Sequence, residues 1–124
     1  PARYLVVVED ETYVNVPAVM ALLESRDKQH SGVDNMYGGR IVQTGVIREK
    51  LSRYYVSKHD HPADIFNPYA ESVGYIVGRP TCAALYAVRN LWKTLPIDDI
   101  NFGYWLSELR RTKQFDADKC EYVR

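Results

Sequence analysis

The chain has little of several things, and each shortage narrows its reading. It has only two cysteines, Cys82 and Cys120, too few and too far apart for a disulfide framework or a metal knuckle. Free thiols in a reducing compartment are therefore expected. No excess of one charge exists: sixteen Lys and Arg stand against sixteen Asp and Glu. No whole-molecule field then draws the protein to nucleic acid or to an anionic membrane. Long apolar runs are lacking too. Near the N-terminus the longest is Leu5, Val6, Val7 and Val8, too short for a signal-peptide core or a bilayer span. A soluble, cytoplasmic protein with no membrane partner is expected. Repeats, low-complexity tracts and linkers are missing as well, so residues 1–124 read as one globular domain.

What is present is ordinary in bulk and unusual in one residue. The hydrophobic share of 46% and charged share of 26% are those of a globular protein able to bury a core. Ten tyrosines stand out, because each pairs a large apolar body with a polar tip suited to recognition surfaces.

Local patterns predict the elements. Residues 3–8, an apolar, β-branched run that ends in Glu9, Asp10 and Glu11, read as a buried strand. Asn15 can cap a helix with Pro17 in its first turn and Val16, Val19, Met20 and Leu23 on one face, ending near Asp27. The turn formers Ser31, Gly32, Asp34, Asn35, Gly38 and Gly39 predict a loop over 29–39, followed by a short strand over 40–43. Thr44 would cap a second helix carrying Ile47, Leu51, Tyr54 and Tyr55. Pro62 and Pro68 make 58–72 a second loop. A strand over 73–77 then leads through Gly78, Arg79 and Pro80 into a helix with Leu85, Val88, Trp92 and Leu95 on one face and Pro96 as its stop. Asp98 or Asp99 opens a last helix with Phe102, Trp105, Leu106 and Leu109 as its buried stripe. The sum is an α+β fold of about four helices packed on a short sheet of three or so strands.

Several motifs carry potential chemistry. The strand ending in Glu9, Asp10 and Glu11 resembles the start of a response-regulator receiver domain. That likeness implies magnesium held by acidic residues, but the simpler reading is a solvated turn. Pro1, together with the strand, turn and helix over 73–95, is similar to the tautomerase superfamily, which implies a secondary amine acting as base or nucleophile. His59 and His61, with Asp60 between them, are similar to the histidine pair of HUH-type nucleases. Two histidines fall two ligands short of a zinc site, and a solvated loop is expected; no metal is assigned.

Gly78, Arg79 and Thr81 form the anion candidate. A helix N-terminus, a guanidinium and a hydroxyl meet where strand passes to helix. Arg48, Arg53, Tyr54, Tyr55 and Lys58 form a basic and aromatic surface of the kind that follows a phosphate backbone and stacks bases. No catalytic triad, carboxylate pair or cofactor motif is recognisable. The preferred reading is a non-catalytic binding or inhibitor-type protein that meets a protein partner through its tyrosines, with a homo-oligomer left open. A nucleotide or nucleic-acid binder is the second reading, and a Pro1-dependent tautomerase-like enzyme the third.

Overall fold

The computed structural model describes residues 2–29, 35–112 and 121–123, the last as backbone only. The run of β-branched residues after Arg3 extends as β1 (Tyr4–Val8), and its alternating side chains divide between two faces of a sheet. Next comes α1 (Val16–Gln29), opened by Asn15, whose Oδ1 accepts the Ala18 N–H at 3.1 Å. Then follow β2 (Met36–Val42), β3 (Tyr69–Gly78), α2 (Arg79–Val88), α3 (Asp98–Arg111) and β4 (Glu121–Val123).

The sheet order is β1-β3-β2-β4. β3 pairs antiparallel with both β1 and β2, while β4 runs parallel to β2. Against β1 the register of β3 is unbroken from Tyr4↔Gly78 to Val8↔Gly74. Against β2 it is not. From Gly39↔Tyr75 to Ile41↔Ala70, β2 advances two positions while β3 goes back five. The segment 71–74 therefore bows out of the β2 ladder, a bulge of the kind that re-aims side chains.

One sheet face is covered by α3 and α2. Tyr37, Ala70, Tyr75, Val77 and Leu106 form the core there, joined by Val7, Cys82 and Phe102. The Tyr37 ring stacks on Phe102 with centroids 5.4 Å apart and meets Tyr75 edge-on at 5.8 Å. A second cluster of Val56, Phe66, Tyr69, Leu95 and Ile100 ties the excursion between β2 and β3 to the start of α3. On the opposite face α1 is anchored through Leu23 and through Asp27, which accepts hydrogen bonds from Arg3 and from the Tyr4 hydroxyl.

The α+β class stands, but several details differ from the sequence reading. Three helices, not four, occur among the described residues. No helix forms over 44–55. Leu51, expected on its buried face, is 95% exposed, and the backbone pairs elsewhere: Phe66 N–H donates to Thr44 O, Val46 N–H to Asp64 O and Val56 N–H to Ile47 O. Thr44 caps nothing; its hydroxyl meets the Tyr69 hydroxyl at 3.0 Å. The glycines expected to break 29–39 lie partly within β2, while 30–34 fall outside the described residues. Gly39 is needed there because a Cβ would come within 2.9 Å of Gly74 O and 3.0 Å of Tyr75 Cβ.

β3 begins at Tyr69, inside the expected loop, and α2 stops after Val88, short of Pro96. The segment between α2 and α3 is instead captured by α3. Asn101 Oδ1 accepts the Leu95 N–H at 2.8 Å, and the Trp105 indole donates to Lys93 O at 3.0 Å.

Candidate active site

The bow in β3 presents Ser72 to two acidic side chains from distant parts of the chain. Its backbone N–H donates to Asp99 Oδ2 at 3.1 Å, and its hydroxyl donates to Glu9 Oε1 at 2.5 Å. The other Asp99 oxygen accepts the Ile100 N–H at 2.8 Å. Asp99 is thus held at both oxygens in the first turn of α3, where the helix dipole favours negative charge. Glu9 takes its place because β1 ends beside the bow, with Thr12 fastened to it by a hydroxyl bond to Val73 O.

These groups edge a cleft of about 650 Å³ lined by Val7, Glu9, Thr44, Gly45, Ile47, Arg53, Tyr54, Phe66, Tyr69, Ser72, Tyr75, Asp98, Asp99 and Ile100, among others. Its floor is the aromatic end of the two core clusters. Burial pushes the Tyr75 phenol above its usual range, and the Asp99 and Asp98 carboxylates push it further. The cleft therefore joins an acidic wall to an apolar floor, with Arg53 and Tyr54 on its rim. Two or three oxygens on that wall suit the work of accepting a proton or of sharing a hard cation with phosphate oxygens.

Of the residues singled out in the sequence, Arg53 and Tyr54 reach this cleft, with the Arg53 Cζ 4.8 Å over the Tyr54 ring. Arg48 does not. Its guanidinium donates to the carbonyls of Val56, His61 and Ala63, and pairs with Asp64 at 3.8 Å. It organises the backbone around it. Tyr55 is half-buried and Lys58 exposed, both away from the cleft lining.

Gly78, Arg79 and Thr81 lie at the far end of β3 from Ser72. There the Arg79 N–H donates to Arg3 O, the Arg79 side chain is exposed and Thr81 is 0% exposed. His61 is buried at 7%, its Nε2 bonded to Ile65 O and its ring 5.2 Å from Phe66, while Asp60 holds Ser57 and Lys93. That segment serves the fold. Pro1 and Cys120 lie outside the described residues.

The sequence reading missed Glu9, Ser72, Asp98 and Asp99 as a set. Glu9 read as a solvated turn, Ser72 as loop and the aspartates as helix openers. The available signal was an acidic cluster at a strand end matched by an acidic pair at a helix start. The pairing of β1 with β3, together with the seat of α3 on β3, makes those two neighbours.

The galactosyltransferase family matches residues 1–114. The chain is 28% identical over 102 residues to the Drosophila melanogaster beta-1,3-galactosyltransferase brn, which covers 82% of this chain and 31% of that protein. It is 29% identical over 108 residues to human N-acetyllactosaminide beta-1,3-N-acetylglucosaminyltransferase 4, covering 87% of this chain and 28% of the relative. To human lactosylceramide 1,3-N-acetyl-beta-D-glucosaminyltransferase it is 28% identical, covering 82% and 27%. The chain spans less than a third of the length of these curated relatives.

These matches overturn the reading as a non-catalytic protein binder with a protein partner, and with it the nucleic-acid and tautomerase-like alternatives. The composition misled because the tyrosines are divided: Tyr37, Tyr69 and Tyr75 are core residues, whereas Tyr13 and Tyr86 are exposed. The cytoplasmic placement falls as well. It rested on what a stretch of this length lacks, whereas its relatives are named for acceptors such as lactosylceramide. Matched over all but its last ten residues, the chain belongs to the galactosyltransferase family.

Proposed function

We propose that this chain forms the acidic side of the active site of a β-1,3-type glycosyltransferase, which moves a galactosyl or N-acetylglucosaminyl group from an activated donor to a sugar hydroxyl. The observation that carries this reading is the Ser72 bridge, which holds Glu9 and Asp99 on one wall of a cleft large enough for a sugar ring. Family membership supplies the reaction class, and the names of the relatives supply the linkage.

Sugar transfer to a hydroxyl needs a group to take the hydroxyl proton as the new bond to the anomeric carbon forms. Asp99 is assigned that role. Two backbone N–H groups fix its orientation, while a carboxylate retains further lone pairs for an acceptor hydroxyl. Ser72 positions it, and Tyr69, Tyr75 and Ile100 give the sugar an apolar floor. Hard oxygen donors such as Glu9 also fit a divalent cation of the magnesium kind, which needs only one or two protein carboxylates once phosphates complete its shell. When bound, such a cation would offset diphosphate charge. Among the described residues no group of three or more potential ligands gathers, so a cation site here would be shared with substrate.

Asp99→Asn in the full-length protein tests the assignment. Loss of a general base is expected to lower kcat by about 10²–10⁴-fold with little change in donor affinity. Turnover at the wild-type rate by a folded Asp99→Asn protein removes Asp99 from this role.

A further inference from the structure

We infer that Arg53, held by Tyr54, takes the diphosphate of the activated donor. The inference rests on the transferase reading above and adds a residue to its site. Among the described residues, the cleft is lined by three carboxylates, Glu9, Asp98 and Asp99, and a single cationic side chain, Arg53. A guanidinium beside an acidic wall would ordinarily fold onto it, yet among the described residues Arg53 makes no ion pair with any carboxylate. It lies instead over the Tyr54 ring, and that ring is 43% exposed. An aromatic face holds a guanidinium without neutralising it, so its charge and its fork of N–H donors stay available.

The ligand that uses this arrangement is an anion with paired oxygens. A sugar donor activated as a nucleoside diphosphate is such a ligand, and its entry into an acidic cleft is opposed unless its charge is met. During transfer the acceptor oxygen bonds to the anomeric carbon and its proton passes to Asp99. The bond from the anomeric carbon to the diphosphate oxygen breaks, and that oxygen leaves with the electron pair and one more negative charge. Arg53 is placed to accept that charge. Neighbouring cations cannot substitute: Arg48 is consumed by three carbonyls, and Lys50 and Lys58 do not line the cleft.

The test titrates UDP, inorganic pyrophosphate and uridine into the full-length protein carrying Arg53→Gln, Arg53→Lys, Tyr54→Ala or, as a control, Lys50→Gln. Arg53→Gln is expected to weaken UDP and pyrophosphate by about tenfold, the scale of one charge-assisted hydrogen bond, and to leave uridine unchanged. Arg53→Lys restores part of the loss, since it keeps the charge without the fork. Tyr54→Ala weakens both diphosphates less than Arg53→Gln does, and Lys50→Gln changes nothing. Unaltered UDP and pyrophosphate affinity in Arg53→Gln overturns the inference, as does an equal loss for uridine. Should the wild type bind no diphosphate and transfer no sugar, the transferase reading fails first and this one with it. Sugar transfer with Arg53→Gln indistinguishable from wild type sinks this inference alone.

Discussion

Gly103 lies in the middle of α3, where glycine weakens a helix, so a reason for it must be found in packing. A Cβ at this position would stand 2.5 Å from Pro68 O and 2.5 Å from Tyr69 Cβ. The helix therefore seats directly on the start of β3, and its first turn brings Asp99 to Ser72. Gly103→Ala gains helix propensity but must push α3 off that backbone, and overpacking of this kind costs about 1–3 kcal/mol. The net expectation is a lower midpoint in urea unfolding. A second expected result is a fall in sugar transfer larger than the stability loss explains, because the Ser72–Asp99 bond is strained open. A Gly103→Ala protein as stable and as active as the wild type would show that α3 is less tightly seated than the geometry requires.

Elements differ in how they are held, and α1 is the one held least. Its predicted apolar face, Val16, Val19, Met20 and Leu23, forms one wall of an open groove of about 660 Å³ against Val6 and Val8, and only Leu23 is buried. A polar clamp at its C-terminal end makes up part of the difference. Hydrogen bonds from Tyr4, then from Arg3, hold the Asp27 carboxyl below the ordinary carboxylate range. A folded-state pKa lowered in this way adds stability above the unfolded value of about 3.9, and that stability is lost as pH falls through the lower folded value. Amide exchange in α1 should consequently accelerate as the solution is acidified below about pH 4, relative to α3. Asp27→Asn should exchange faster already at neutral pH and lose the acid dependence. Persistence of that dependence in the variant would place its origin elsewhere.

The same elements explain what could be read from the sequence. β1, the Asn15 cap and the existence of α3 were legible from local pattern, but not their burial. β1, expected to be buried, leaves Leu5, Val6 and Val8 exposed. Of the expected α3 stripe, Leu106 and Leu109 are buried while Phe102 and Trp105 are only partly so. The stretch 44–55 has helical spacing of apolar residues, but long-range backbone pairing with residues 64–66 and the carbonyls gathered by Arg48 outweigh it. Glycines in β2 looked like turn residues because their partner, the close-lying β3, is distant in sequence. The site was illegible for a related reason. Each of its acidic residues had an adequate local explanation, and only the packing of β1 and α3 against β3 unites them.

At the scale of the whole molecule, the two faces of the sheet are unequal. One is closed by α2 and α3, while the other leaves Val6, Val8, Met20 and Leu22 at 38–50% exposure along two apolar grooves. Surface of that kind is rarely bare in a finished soluble domain. The 124-residue chain by itself should therefore bind the dye ANS while keeping its near-ultraviolet dichroism, and Val6→Thr with Met20→Gln should cut the fluorescence gain severalfold. Dye uptake accompanied by loss of tertiary dichroism would point to loosened packing rather than an open face. The bow in β3 has a different consequence. Its three surplus residues belong to no rung shared with β2, yet they are pinned from the other side: Gly74 pairs with Val8, Val73 O accepts the Thr12 hydroxyl, and Ser72 joins Glu9 to Asp99. The gap between proton acceptor and strand end is thus set by one strand's detour, so a residue gained or lost within it would be felt first as a changed distance between Glu9 and Asp99.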